Sequence, residues 1–364
     1  MAKTLKIGID ADNGDFVEND IPTRKIISAV SRISEDYPLA ELVVAGNREK
    51  VLDALGKRIP KNVRIIPSTA YISRGEKIHC HMPGSSLNNL VREARAGNIE
   101  GIFTIGNTAN VGKEAIGLRR ITGVIKPTLL TPIPVYPEGV FFLTDIGATS
   151  MNQNQQDGKL YRTAIEEFAE EIYCQGIIAT VYARTQEVLV PKLGLLTVGQ
   201  EEHKGSDWVL RTDELFKSKA RNLEGFLEYA GKIEQKHAMR GQVDIALSDG
   251  HTGNQLLKLG EEIIYTAKTI VKDIAKNLRL LEKLACTPAA LVLRRNPLVR
   301  RVIESYNPTK YNAALLLGYR GIISKGHGDS SEEAVYKGIK RALDSCGLDL
   351  GPKIEEAVKR YMPK

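Results

Sequence analysis

Five glycine-punctuated stretches carry the residue types that hold anions. They are Gly106-Asn-Thr-Ala-Asn-Val-Gly-Lys113, Asp145-Ile-Gly-Ala-Thr149, Gly199-Gln-Glu-Glu-His-Lys-Gly205, Asp249-Gly-His-Thr-Gly-Asn254 and Lys325-Gly-His-Gly-Asp-Ser-Ser331. Together they supply the ionisable groups Asp145, Glu201, His203, Lys204, Asp249, His251, Lys325 and His327. Asn107, Thr108, Asn254 and Ser330 add neutral hydrogen-bonding groups, and Gly106, Gly147 and Gly199 sit at the turns. Lysine, histidine and peptide N–H groups bind phosphate, and the same donors stabilise a tetrahedral oxyanion. A covalent nucleophile is missing: there is no G-x-S-x-G elbow, and none of the four cysteines lies in these stretches. The set therefore suits direct attack of a small anion on a carbonyl. Positioning alone can lower such a barrier by roughly 7–11 kcal/mol at the upper end.

Each stretch follows a short apolar run and precedes a helix-like pattern, so each reads as a strand breaking at glycine into a helix N-terminus. Free peptide N–H groups gather there. Ile102 to Ile105 is the most clearly buried of these strands, with a helix from Val111 to Arg119 after it. Upstream, Leu5–Ile9, Glu41–Gly46 and Val63–Ile66 read as strands, with helices from Pro22 and from the cap Asn47 between them. That β-α-β-α-β order predicts a three-layer α-β-α body around a mostly parallel, doubly wound sheet. Several strand-end junctions in one parallel sheet would line a single crevice.

Further strands are expected at Thr128–Ile133, Val140–Leu143, Lys192–Val198, Phe226–Tyr229, Val243–Leu247, Ala313–Leu317 and Gly321–Ser324. Helices are expected over Pro83–Ala96 and Tyr161–Tyr182, from Ser206 or Asp207 to Phe216, and from Asn254 to about Leu284. A last one is capped by Ser330 or Ser331. No repeat or disordered linker interrupts the 364 residues, which read as one α/β domain over 1–364 with a helical excursion near 255–305.

The chain carries a formal charge of +7, but 44 acidic residues are interspersed and aromatics make up only 6%. No basic-aromatic module for nucleic acid stands out. No apolar run approaches the roughly 18 residues a membrane span needs. The N-terminus runs straight into a strand pattern, so a cytoplasmic protein with reduced thiols is expected. Metal candidates are weak. Asp10, Asp12 and Asp15 lack the carboxylate that closes a calcium loop, since Ile21 stands there. In His79-Cys80-His81 successive side chains on an extended chain point in opposite directions, and no further His or Cys ligand stands nearby in the sequence. Gly106–Lys113 is one residue too long for a P-loop, and Glu114 stands where Ser or Thr should hold magnesium. The basic amphipathic segment 291–301, with Arg294, Arg295, Arg300 and Arg301, suits a peripheral membrane contact, an acidic protein partner or a solvated face.

Read together, these motifs resemble the phosphate acyltransferases of bacterial phospholipid synthesis, the PlsX family. The family's D-A-M-G-G-D is similar to Asp10-Ala-Asp-Asn-Gly-Asp15, its D-S-S-M to Gly84-Ser-Ser-Leu87, and its S-A-G-N-T-G-A to Thr104–Asn110. Its D-V-G-A-N is similar to Asp145–Thr149, its L-L-N-I-G-E-E…K-G to Leu195–Gly205, and its D-G-F-V-G-N to Asp249–Asn254. Its L-L-G-V-N-G…H-G-S-S is similar to Leu316–Gly321 and His327–Ser331. The match runs in order over nearly the whole chain. It implies a fold akin to isopropylmalate dehydrogenases and phosphotransacetylases, a homodimer, and a reaction without metal or organic cofactor. In that reaction orthophosphate attacks an acyl thioester on acyl carrier protein or coenzyme A, and acyl phosphate and free thiol result. A helical tip touching the membrane is also implied.

On that reading Lys204 and His327 bind phosphate and stabilise charge, and Asn107, Thr108 and Asn254 orient the thioester. Asp249 or Asp145 would hold a His or Lys in place, and Gly106, Gly147, Gly199, His203, His251 and Ser330 would line the substrate site. The chain departs from the family pattern at Asp12, Asn13, Ala109, Thr149, Thr197, His251 and Thr252. Two alternatives therefore stand beside the lipid-synthesis reading. One is an acetyl-transferring subunit of a glycine-reductase type of complex, for which the polar His251 would suit a small acyl group. The other is a binding or scaffold homologue that has lost the chemistry.

Overall fold

The computed structural model describes residues 4–13, 21–56, 59–70, 82–136, 138–149, 158–277, 295–305 and 313–363. The His79-Cys80-His81 triplet, Asp15, residues 291–294 and the end of the helix expected to reach Leu284 lie outside the described residues. The strands are β1 (Lys6–Asp10), β2 (Glu41–Gly46), β3 (Val63–Pro67), β4 (Gly101–Thr104), β5 (Thr128–Pro134) and β6 (Val140–Thr144). They continue with β7 (Lys192–Leu196), β8 (Glu228–Ile233), β9 (Ile245–Leu247), β10 (Ala314–Leu317) and β11 (Ile322–Lys325). All join one 11-stranded sheet in the order β3-β2-β1-β4-β11-β10-β5-β6-β9-β7-β8.

The helices are α1 (Ile21–Asp36), α2 (Arg48–Leu55), α3 (Ser86–Ala96), α4 (Thr108–Ala115), α5 (Gly158–Thr185) and α6 (Asp207–Ser218). After them come α7 (Ala220–Leu223), α8 (Gln235–Met239), α9 (Gly250–Asn277), α10 (Pro297–Ser305), α11 (Glu332–Cys346) and α12 (Leu350–Tyr361). The sheet is buried on both faces, as expected where strands read as continuous apolar runs. Successive side chains alternate between the two faces. Ile102, Leu129, Leu143, Ala246, Leu316 and Ile323 face α3, α4 and the first part of α9. Phe103 turns the other way, toward α1 and α11. Leu130, Phe142, Ile245 and Leu315 likewise point toward α5, α6 and α12. The three layers follow from that alternation.

The expectation of strand ends aligned along one edge fails. β1, β2, β3, β4 and β11 run parallel to one another, and so do β6, β9, β7 and β8. The antiparallel pairs β11–β10, β10–β5 and β5–β6 separate the two sets and reverse the second. The junctions after β4 and β11 thus leave one end of the sheet, and those after β6, β7 and β9 leave the other.

Some boundaries move for local reasons. α4 starts at Thr108, earlier than Val111, because the Asn107 side chain accepts from Ala109 N and caps it. Phe226 and Leu227 precede β8 instead of forming it, and the Phe226 ring stacks on Tyr361 of α12 at 4.1 Å between centroids. α12 is an added helix. Its first turn carries Pro352, and proline is tolerated there, where its missing N–H has no partner to lose.

Candidate active site

The β6 exit is organised by Asp145. Its side chain is fully buried and accepts from Leu129 N (3.0 Å), Ala148 N (2.9 Å to Oδ2), Thr149 N (2.6 Å) and Thr149 Oγ1 (2.7 Å). Burial pushes the carboxyl above the usual carboxylate range, against the pull of those donors. Asp145 therefore winds the 145–149 turn, and main-chain amides, not a His or Lys, are its partners. The turn folds back from its end of the sheet onto the α4 face. Ile146 N donates to Leu129 O at 3.1 Å, and Ile146 packs among the α4 residues.

Two contacts close a ring from there. Gly147 faces Thr108, whose Cγ2 lies 3.9 Å from where a Cβ on Gly147 would be. The first turn of α9 sits directly on the Asp145 turn: a Cβ on Gly253 would be 1.9 Å from Asp145 O, and one on Gly250 2.3 Å from Thr149 O. Asp249 caps that helix, with Oδ1 accepting from His251 N (2.9 Å) and Thr252 N (3.0 Å) and Oδ2 from Thr252 Oγ1 (2.6 Å). It too holds a helix start, not a His or Lys.

From Gly253, about 12 Å of helix leads to Glu261, whose Oε2 lies 3.4 Å from His327 Nε2. His327 Nδ1 faces Asp329 Oδ1 at 3.3 Å. Gly326 returns the ring to the β4 exit, since its N–H donates to Thr104 O at 2.8 Å and a Cβ there would meet Ile105 at 3.0 Å. Asn254 and Glu261 are seven residues apart and so share one face of α9. Thus a chain of contacts links Thr108 through the Asp145 turn and the first turns of α9 to His327. Ser330 closes the turn after His327 by donating to His327 O at 2.6 Å, while Ser331 caps α11 through Ala334 N.

The hydrogen bond to Glu261 raises the His327 pKa above its usual 6.5, so the imidazolium favours the bridge. A raised histidine pKa means that the bridge's stabilisation is complete below the unfolded value and fades as pH rises through the folded one. Nuclear magnetic resonance titration of His327 is expected to give a midpoint above 6.5, which Glu261→Gln should lower. A midpoint indifferent to Glu261→Gln would remove the bridge. Half exposure of both side chains keeps its contribution to stability small.

The β4 exit rests on a polar cluster that sequence reasoning missed. Asp10 is fully buried and accepts from Ser86 Oγ (2.6 Å), Asn13 Nδ2 (2.7 Å), Thr104 Oγ1 (2.7 Å) and Asp12 N (3.3 Å). Thr104 Oγ1 in turn accepts from Gly106 N at 3.0 Å, so this N–H is engaged and is not free for an anion. Buried Glu114 ties α4 to α3 by accepting from Met82 N (2.7 Å) and Asn88 Nδ2 (2.8 Å). The signal was present in the Asp10-Ala-Asp run, which invited a metal reading. Among the described residues no group of three or more His, Cys, Asp or Glu could hold a metal ion. Next to it, burial raises the Asp12 pKa, while Asn47 N donates to it at 2.7 Å and Ser68 Oγ makes a close hydrogen bond.

Gly199, His203 and Lys204 lie in the loop after β7, at the same end of the sheet as the start of α9. His203 and Lys204 are exposed. Among the described residues, no hydrogen bond or ion pair joins them to Asn107 or His327. His251 is exposed at the start of α9, and Asn254 is half-buried.

A family model described as "Fatty acid synthesis protein" matches residues 5–350. The chain belongs to that family. Its relatives include a phosphate acyltransferase from Ligilactobacillus salivarius (strain UCC118), 28% identical over 358 residues, which span 96% of this chain and 98% of the relative. Another is a phosphate acyltransferase from Shewanella woodyi (strain ATCC 51908 / MS32), 27% identical over 371 residues, covering 98% of each chain. Among solved structures, a phosphotransacetylase from Streptococcus pyogenes superposes with a TM-score of 0.57 at 14% identity, over 98% of this chain and 95% of the other. A branched-chain phosphotransacylase from Enterococcus faecalis V583 gives 0.52 at 11% identity, over 95% and 99%. At such identities the superpositions speak for the fold alone, and they agree with the three-layer α/β architecture of this family member. No described helix is long and apolar enough to cross a membrane.

Proposed function

We propose that the chain is a phosphate acyltransferase that takes an acyl thioester, on acyl carrier protein or coenzyme A, and orthophosphate. A phosphate oxygen attacks the thioester carbon, the C–S bond breaks, the thiolate takes up a proton, and acyl phosphate is released. The observation that carries this reading is the ring formed by the α4 N-terminus, the Asp145 turn, α9 and His327. In this reading the Thr108 hydroxyl, the Asn254 amide and His327 face one crevice, and among the described residues neither a serine elbow nor a cysteine borders it. Cys174 and Cys346 are buried elsewhere, and burial raises the Cys174 thiol. Phosphate would meet His327 and, from the loop after β7, Lys204 and His203. Thr108, Asn254 and the amide nitrogen of Asn107, which has no partner among the described residues, would orient the thioester, with His251 at the rim. Gly106, Gly147, Gly199 and Ser330 shape the walls.

A homodimer is part of the proposal. Leu259, Ile263, Ile270 and Ile274 are exposed along α9 at steps of four and seven residues, the spacing of one helix stripe, and a second copy would cover them. The segment 291–301 offers less free charge than its sequence suggests. Arg301 reaches Glu138 at 2.9 Å and Arg300 lies 3.8 Å from Glu304. Arg295 and exposed Leu298 are left for a peripheral contact with a membrane or with the carrier. No nucleic acid, metal or organic cofactor enters this reading, and a cytoplasmic location is part of the proposal.

The test is phosphate-dependent thiol release from thioesters running from acetyl to palmitoyl, on carrier protein and on coenzyme A. Release that requires phosphate is expected, and long-chain preference would place the enzyme in lipid synthesis rather than acetyl transfer. Lys204→Ala should cut that release by about 100-fold, as loss of one group that stabilises transition-state charge does. Release independent of phosphate would sink the reading.

A further inference from the structure

We propose that Lys232 is a positioning residue that shapes the loop after β7 into an anion cradle. Lys232 sits on β8 and is 6% exposed, unusual for a lysine. Its ammonium spends all three N–H groups on main-chain carbonyls of one loop: Glu201 O at 2.5 Å, Glu202 O at 2.8 Å and Lys204 O at 2.9 Å. Lys204 N also donates to Glu201 O at 3.0 Å, and Gln200 Nε2 to Lys232 O at 3.3 Å. The cation is therefore the centre about which residues 200–204 wrap.

That wrapping has a consequence for the other side of the chain. In a trans peptide the C=O of one residue and the N–H of the next point in opposite directions. Three carbonyls drawn in toward Lys232 turn the N–H groups of Glu202, His203 and Gly205 away from it. None of these three donates to a described residue, whereas Lys204 N does. Successive outward N–H groups form a concave anion site. His203 and Lys204 are exposed side chains of the same loop, as are the carboxylates Glu201 and Glu202. Two details fit a loop held at this curvature. Gly205 has φ of +115°, where a Cβ would meet Val209 Cγ1 at 2.8 Å and Thr197 Oγ1 at 3.2 Å. The Thr197 hydroxyl lies buried against the loop and has no hydrogen-bond partner among the described residues.

The anion is orthophosphate or the phosphoryl group of the product. This rests on the acyl-transfer reading above and assigns that reaction's phosphate to the Lys232-braced loop. Lys232 itself does not touch the anion; its three bonds are spent.

The experiment compares the wild-type chain with Lys232→Met and, as a milder change that keeps donors, Lys232→Gln. Each is followed by amide hydrogen exchange over 199–206, by orthophosphate calorimetry and by KM for phosphate and for thioester. The expected result is faster exchange confined to 199–206, phosphate affinity and KM worsened at least 10-fold, and an unchanged thioester KM. Unchanged phosphate affinity in both variants, or a fall in melting temperature and kcat with phosphate KM intact, overturns the positioning role and leaves the reaction standing. If Lys232→Met fails to fold, Lys232→Gln decides by the same readings. Should the wild type bind orthophosphate but show no phosphate-dependent thiol release, the reaction reading fails. Weaker binding by the variants then still supports the cradle. A wild type that does not bind orthophosphate overturns both.

Discussion

Gly253→Ala is expected to be among the most damaging single-methyl additions the chain can receive. The new Cβ would lie 1.9 Å from Asp145 O and 2.7 Å from Ser248 Oγ, and the first of these is main chain that cannot rotate away. α9 or the Asp145 turn must shift. Overpacking of this kind costs about 1–3 kcal/mol, and the position of the clash argues for the upper part of that range. The same shift moves Asn254 and Glu261 relative to Thr108 and His327, so turnover should fall more than 10-fold even in the folded fraction, given how steeply rate depends on placement. Gly260→Ala is the control. It lies on the same helix, nothing stands within 4 Å of its would-be Cβ, and alanine there should be neutral or stabilise by about 0.5–1 kcal/mol. Scanning calorimetry and thiol-release assays on both variants check the pair. Equal melting temperatures for the two would mean that α9 does not rest on Asp145.

Asp10→Ala is the second. The change leaves Ser86 Oγ, Thr104 Oγ1 and Asn13 Nδ2 buried without their common acceptor. Each lost hydrogen bond to a carboxylate is worth about 1.5–3 kcal/mol. These bonds share one acceptor and are not additive, so a total loss of about 3–5 kcal/mol is expected. Activity should drop further than stability, because Thr104 also anchors Gly106 N at the α4 N-terminus. Asp10→Asn keeps one acceptor oxygen but sets an amide donor against donors, and should recover only part of the loss. Urea unfolding, with turnover corrected for the folded fraction, measures both effects. Wild-type turnover in folded Asp10→Ala would detach this cluster from the site.

The strands and most helices were legible in the sequence because their signals are local. Apolar runs such as Glu41–Gly46 and Ile102–Phe103, glycine breaks and caps such as Asn47 act within a few residues, and the structure places them as read. The family was legible for the same reason, since its motifs are the turns that end strands. Individual roles were harder to read. Asp145 and Asp249 carry the right chemistry to hold a histidine or lysine, yet both spend their oxygens on nearby amides and hydroxyls, a choice made by turn geometry.

Sequence by itself determined the residue types available for holding an anion, the absence of a nucleophile from the turn motifs, and the alternation that buries both faces of the sheet. Only the tertiary structure decided which of those turns meet. The reversal at β10, β5 and β6 sends the junctions to opposite ends of the sheet, and no local pattern encodes that reversal. The β6 and β9 junctions reach those of β4 and β11 because Asp145 winds its turn back onto the α4 face and α9 crosses from there to His327. Both are long-range contacts, set by which surfaces fit without a Cβ between them and where a buried carboxylate finds its donors.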